Sequence, residues 1–209
     1  MSHTTEYKGC VVIQGPVYKE ILDDIRRGWS GYKLIFSTWP DANLDDFRST
    51  ETVVISEVPE NKGVFNFQLQ KKSTIAGMKH AQELGWERAI KWRSDMIPKG
   101  GESFWNLFDS EYLNFYMWCD SSNGYLTDYF MEGKVDEIIA IFDVETEGSF
   151  PEWNVTRRVR DLGLWDKLKC IGGFLGGKAD VKWESKGFWL SENINHSVFT
   201  SNIPENWGK

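Results

Sequence analysis

Short apolar, β-branched runs alternate with helix-length amphipathic segments, and this alternation constrains the fold more than any other feature. Gly9–Gln14 (GCVVIQ) precedes Tyr18–Trp29, where Ile21, Leu22, Ile25 and Trp29 recur at helical spacing with charges between them. Tyr32–Ser37 (YKLIFS) and Thr52–Ile55 (TVVI) are two further short runs. Phe67–Leu84 carries a partial stripe of Leu69, Ile75, Met78 and Ala81 and stops at Gly85, and Arg88–Arg93 (RAIKWR) follows. Runs without apolar–polar alternation read as strands buried on both faces. The order strand, helix, strand, strand, helix, strand predicts an α/β fold: a mostly parallel central sheet flanked by helices.

The second half is less regular. Ser103–Phe108 reads as a short helix and Tyr112–Cys119 as a strongly apolar strand. Val135–Phe142 and Trp153–Leu162 read as helices, and the chain from Cys170 as strands and loops, so the sheet becomes mixed toward the C-terminal half. Gly172-Gly173 and Gly176-Gly177 read as a tight turn in preference to a ligand-contacting loop. A chain of 209 residues suits one domain, and no repeat or linker divides it.

Composition excludes several classes. A net charge of −7 argues against a protein that grips nucleic acid through a basic face. The three cysteines, Cys10, Cys119 and Cys170, are far apart and lack zinc-ligand spacing, which suggests free thiols in a reducing compartment. No basic-then-apolar leader opens the sequence and no apolar run reaches about 18 residues, so a cytoplasmic location without a membrane span is expected. The sequons at Asn154 and Asn195 are then chance matches. Eleven tryptophans point either to core packing or to sugar stacking.

In a parallel sheet, ligands bind beyond the carboxyl ends of the strands. That rule lines up Gln14-Gly15-Pro16, Ser37-Thr38-Trp39 and Arg93-Ser94-Asp95 along one rim. No P-loop occurs, and the first strand ends in Gln-Gly-Pro instead of GxGxxG. Asp95 is the informative acid. A rim carboxylate can hold Mg²⁺ or Mn²⁺ together with diphosphate oxygens, supplemented by Lys91 or Arg93. Its other reading is a surface ion pair with Arg93.

The motifs Val11-Val12-Ile13-Gln14-Gly15-Pro16, Ile35-Phe36-Ser37-Thr38-Trp39 and Lys91-Trp92-Arg93-Ser94-Asp95-Met96 resemble, in this order, the WavE-like family of glycosyltransferases. The helix segment with Asn66, Gln68 or Gln70, Ser73, Thr74, Gly77 and Ala81 is similar to that family's N-x-Q-x-x-S-T-x-x-G-x-x-x-A pattern. Thr127-Asp128 through Gly133 and Pro151-Glu152 look like its S-D-x-x-x-x-G and P-E. The chain also looks like glycosyltransferase domains that chlorella viruses use on capsid glycans, which would place it in the host cytoplasm.

The resemblance implies a GT-A-type, Rossmann-like fold over 1–209, with a nucleotide-binding half to about residue 100 and an acceptor-binding half after it. It implies a UDP-sugar donor, a glycan acceptor and a Mn²⁺ or Mg²⁺ ion at Asp95. Only the last acid of an Asp-x-Asp motif is present, which leaves the second metal ligand open; His196 is the candidate. Gln14, Gly15, Pro16 and Thr38 are then expected around base and ribose, with Arg93 nearby. One of Gln68, Lys72 and Thr74 is expected at the ribose or diphosphate.

Sugar transfer with inversion needs a general base, and transfer with retention a nucleophile or a charge stabiliser. Asp128, after Tyr125-Leu126 and before a glycine-containing turn and a helix, is the first candidate. Glu152 is the second; a helix N-terminal acid favoured by the macrodipole is its other reading. The expected activity is transfer of a hexose or deoxyhexose from a UDP-sugar. The alternatives are a sugar-phosphate nucleotidyltransferase, which would need a basic glycine-rich loop after the first strand, and a non-catalytic carbohydrate-binding module.

Overall fold

The computed structural model describes residues 8–98, 108–119, 124–145 and 149–175, and the short strands 182–183 and 189–190. Strand β1 is Cys10–Gln14. A 3-10 turn at Lys19–Ile21 leads into helix α1, Leu22–Gly28. Strands β2 (Lys33–Thr38) and β3 (Thr52–Ile55) precede helix α2, Phe67–Glu83, and strand β4, Arg88–Arg93. Strands β5 (Leu113–Cys119) and β6 (Gly124–Lys134), helices α3 (Val135–Phe142) and α4 (Pro151–Asp161), and strand β7 (Leu168–Leu175) follow. Strands β8 (Lys182–Trp183) and β9 (Trp189–Leu190) pair antiparallel with each other.

The main sheet has the order β3-β2-β1-β4-β6-β5-β7. The pairings β3–β2, β2–β1, β1–β4 and β5–β7 are parallel, whereas β6 runs antiparallel to both of its neighbours. The fold is therefore α/β with a mostly parallel, mixed sheet. Side chains of successive strand residues point to opposite faces, and both faces are apolar here. Cys10 and Val12 join Ile35, Met78 and Ile138 on one side, while Val11 and Ile13 join Ile25, Trp29, Phe36 and Trp92 on the other.

Two tryptophans are committed to this core. Trp29 and Trp92 meet edge to face with ring centroids 5.2 Å apart. The buried Asn154 amide donates to the Ser149 and Phe150 carbonyls, which removes its sequon from the surface.

Three sequence expectations are corrected. Residues 124–134 form a long strand, so Asp128 lies within β6 and Gly133 is a strand residue, not part of a turn before a helix. Gly172-Gly173 lies inside β7 and is no turn; the edge strand forms because β5 offers it a parallel partner. Phe108 lies outside any helix, and 103–107 fall outside the described residues, as do Gly176-Gly177 and His196.

Helix α2 approaches the sheet through small residues, Ser73, Thr74 and Gly77, all buried. Ser37 Oγ donates to the Ser73 carbonyl at 2.6 Å. A Cβ on Gly77 would lie 2.4 Å from Val12 Cγ1 and 2.9 Å from Ser37 Cβ. Glycine inside a helix costs about 1 kcal/mol relative to alanine, so close packing sets this choice. Overpacking costs ~1–3 kcal/mol and outweighs the helix gain. Gly77→Ala is therefore expected to lower the urea midpoint with an unchanged slope; an unchanged or higher midpoint contradicts the close approach.

Candidate active site

The tips of the parallel strands are tied together through their backbones. Gly15 N donates to the Ser37 carbonyl at 3.1 Å, Ser94 N to the Gln14 carbonyl at 2.9 Å, and Ser56 N to the Thr38 carbonyl at 2.9 Å. Gly15 has φ +123°, and a Cβ there would sit 2.5 Å from Ser94 Oγ. A glycine is required on both counts. Trp92 Nε1 donates to the Met96 carbonyl at 2.9 Å and closes the turn that carries Asp95.

A cleft of about 660 Å³ opens over these tips. Gln14, Gly15, Pro16, Arg93 and Asp95 line it, and Asp128, Tyr129, Pro151 and Glu152 join from β6 and the start of α4. At the far side lie Trp39, Val58, Lys62 and Phe65. The remaining expected residues stand elsewhere. Thr38 and Thr74 are buried and do not line the cleft. Gln68 and Lys72 border a separate groove with Lys71, Ile75 and Lys79, because the helical turn directs them away from the rim.

Arg93 is the hub of the charged end. Its Nε and Nη2 donate to Asp95 Oδ1 and Oδ2 at 2.9 and 2.5 Å. Its Nη1 is 3.8 Å from Asp128 Oδ2, and its guanidinium lies 4.9 Å from the Tyr129 ring centre. Burial pulls the guanidinium toward neutrality, but Asp128 and Asp95 outweigh that and keep it charged.

Asp128 is 2% exposed, and neither carboxylate oxygen accepts a hydrogen bond among the described residues. Its place follows from an irregularity in β6. The β5–β6 register shifts between Phe115 and Met117, whose partners are Met131 and Leu126, so 127–130 leave the ladder there. The β4–β6 ladder ends at Trp92–Phe130. Such bulges re-aim side chains. Lys91, fully buried beneath, donates from Nζ to the Asp128 carbonyl. Burial lowers the Lys91 ammonium to about 8, against the pull of Asp128.

Glu152 stands in the first turn of α4 after Pro151. Burial, and next the charge of Asp128, raise its carboxyl to about 7; Arg93 and Lys91 oppose the rise. A carboxyl that titrates near neutrality in a cleft is suited to proton transfer. Gln14 Oε1, also buried and without a partner among the described residues, adds an acceptor.

The β3–α2 connection carries backbone strain. Phe65 (φ 50°, ψ 33°) and Asn66 (φ 62°, ψ 23°) are consecutive left-handed residues. Such conformations cost ~1–3 kcal/mol each in residues other than glycine.

Two carboxylates, Asp95 and Asp128, face one cationic position, now filled by the Arg93 guanidinium. Mg²⁺ and Mn²⁺ sites use one or two carboxylates and complete their shell with phosphate oxygens; Asp95, on the cleft wall, is a carboxylate suited to that, with both oxygens now accepting from Arg93. Among the described residues no group of three or more His, Cys, Asp or Glu is placed to hold a metal.

No family model and no curated protein matches the sequence. Among solved structures, one similar chain is the "crystal structure of a glycosyltransferase involved in the glycosylation of the major capsid of PBCV-1", with a TM-score of 0.47 and 13% identity over 78% of this chain and 81% of that one. No helix among the described residues is long and apolar enough to cross a membrane.

The raised Glu152 carboxyl has a stability consequence. The native state holds that proton more tightly than the unfolded chain does, so it is favoured while Glu152 is protonated. This advantage is lost as pH rises from the ordinary carboxylate range through about 7. Glu152→Gln is expected to melt level with the parent near pH 4 (~4, below the ordinary carboxylate value) and above it near pH 8 (~8, above the shifted one). An equal difference at both pH values contradicts the charge-strained carboxyl.

Proposed function

We propose that this chain is a GT-A-type glycosyltransferase that moves a hexose or deoxyhexose from a UDP-sugar to a glycan hydroxyl. One observation carries the reading: a cleft at parallel-strand tips holds a fixed guanidinium and, beside it, a carboxyl that titrates at about 7. The ordered motif resemblance supports the donor class. The cleft is long enough for such a donor. Four inter-strand steps separate β3 from β6, and at ~4.8 Å each they span ~19 Å.

Glu152 is the proton acceptor in this reading and Asp128 is not. Asp128 is nearly inaccessible, whereas Glu152 is half-buried on the cleft wall. The acceptor hydroxyl gives its proton to a Glu152 carboxylate oxygen as its own oxygen bonds to the sugar's anomeric carbon. The bond from that carbon to the β-phosphate oxygen breaks, and the electron pair leaves on UDP. Arg93 stabilises the departing charge in a partly dry site. Asp128 keeps Arg93 charged and aimed. A Mn²⁺ or Mg²⁺ ion held at Asp95 would supply Lewis-acid neutralisation of the diphosphate. Attack opposite the leaving group inverts the anomeric centre.

Two measurements test this. Turnover with a UDP-sugar and a glycan acceptor is expected to rise with pH through about 7, as Glu152 loses its proton. Glu152→Gln is expected to lose about 10²–10⁴-fold in kcat while binding UDP as the parent does. A flat pH profile, or full turnover in that variant, rejects Glu152 as the base. Separately, UDP with Mn²⁺ is expected to raise Tm in the parent, with most of the metal-dependent part lost in Asp95→Asn. A carbohydrate-binding module would show no stabilisation by UDP, and a nucleotidyltransferase would release pyrophosphate from sugar phosphate and nucleoside triphosphate.

A further inference from the structure

The cleft is divided by chemistry along its length. One end gathers Arg93, Asp95, Asp128 and Glu152, and the other presents the apolar Trp39, Val58 and Phe65 beside Asp41 and Lys62. Phe65 is 72% exposed, an unusual placement for a phenyl ring two residues from the fully buried Phe67. Phe67 is already committed to the core, stacked on Phe142 with centroids 6.4 Å apart. Phe65 stays outside that core. The segment instead adopts two successive left-handed residues before α2 and so presents the ring at the cleft wall. The turn is held from both sides: Gln68 N donates to the Lys62 carbonyl at 3.0 Å, and Gly63 N to Asn61 Oδ1 at 2.8 Å.

A ligand that fits both ends has a flat apolar face at one end and charge in its middle. We propose that Phe65 is a stacking platform for the nucleobase of a nucleoside-diphosphate ligand, with the diphosphate directed toward Arg93. The assignment rests on the glycosyltransferase reading and names the residue that sets base affinity. An exposed ring costs no rearrangement on binding, and base–aromatic stacking accepts any π face. The hydrogen bonds on either side of the turn hold its strained backbone, and with it the ring's attachment point, before the ligand arrives.

The test uses UDP and inorganic pyrophosphate as probes, by calorimetry with Mn²⁺ present, on the parent, Phe65→Trp, Phe65→Ala and Phe65→Gly. Stacking losses on alanine substitution correspond to a roughly 5- to 150-fold weaker Kd. Phe65→Ala is expected to weaken UDP within that range and leave pyrophosphate unchanged, and Phe65→Trp is expected to retain UDP affinity. Phe65→Gly suits the left-handed backbone, so its Tm is expected to equal or exceed that of the parent while UDP affinity falls. A merely structural role would move stability and affinity together. If the parent binds UDP and Phe65→Ala binds it equally well, the platform is wrong and the glycosyltransferase reading survives. Equal weakening of both probes, or a change confined to acceptor KM, also overturns the platform. If the parent binds no UDP, both readings fall.

Discussion

The site depends on the backbone stitching of three strand tips. Gly15 and Ser94 bond across to Ser37 and Gln14, so β1, β2 and β4 end at one level and their loops cannot splay. Those bonds need a residue at 15 that tolerates φ +123° and offers no Cβ to Ser94. With the tips fixed, the turn after β4 is set as well, because the Trp92 indole bridges it from below. Arg93 and Asp95 then face the cleft as a matter of register.

The charged residues act as a group. Taken singly, a fully buried lysine, an aspartate without donors and a glutamate pushed to about 7 are each costly. Together they offset one another: Asp128 works against the burial of Lys91 and Arg93, while burial and then Asp128 hold back the ionisation of Glu152. A cluster with this many dependencies has few stable arrangements. Its energetic cost is what a site that binds charge and moves a proton is expected to carry.

The parallel half of the fold was legible because its strands are unbroken apolar runs ended by Gly-Pro, Trp-Pro or Ser-Asp. The strand-end rule then placed Gln14, Gly15, Pro16, Arg93 and Asp95 on one rim, where they lie. The antiparallel strand was not legible. Gly124–Lys134 contains Asp128, Glu132 and Gly133, residues poor in strand propensity, and long-range pairing with β4 and β5 overrides that preference. The ion pair between Arg93 and Asp95 was foreseen as one reading of Asp95. Its extension to Asp128 was not, because no local spacing relates residues so far apart in sequence. On α2, Gln68 and Lys72 border a different groove and Thr74 is buried, whereas Asn66 and Gln70 of the same motif line the cleft, a division that linear spacing did not reveal. Phe65 left no signal, since a solitary phenylalanine before a helix reads as core.

Where β6 abandons its ladder, its main chain needs replacement partners inside the protein. Lys91 meets one of those needs by bonding the Asp128 carbonyl, and thus serves as a surrogate rung between two strands. A methionine of similar reach would leave that carbonyl bare. The identity of this side chain is thus dictated by a missing neighbour in the sheet, and its charge, inherited with the amine, becomes the ground on which the acids above it are balanced.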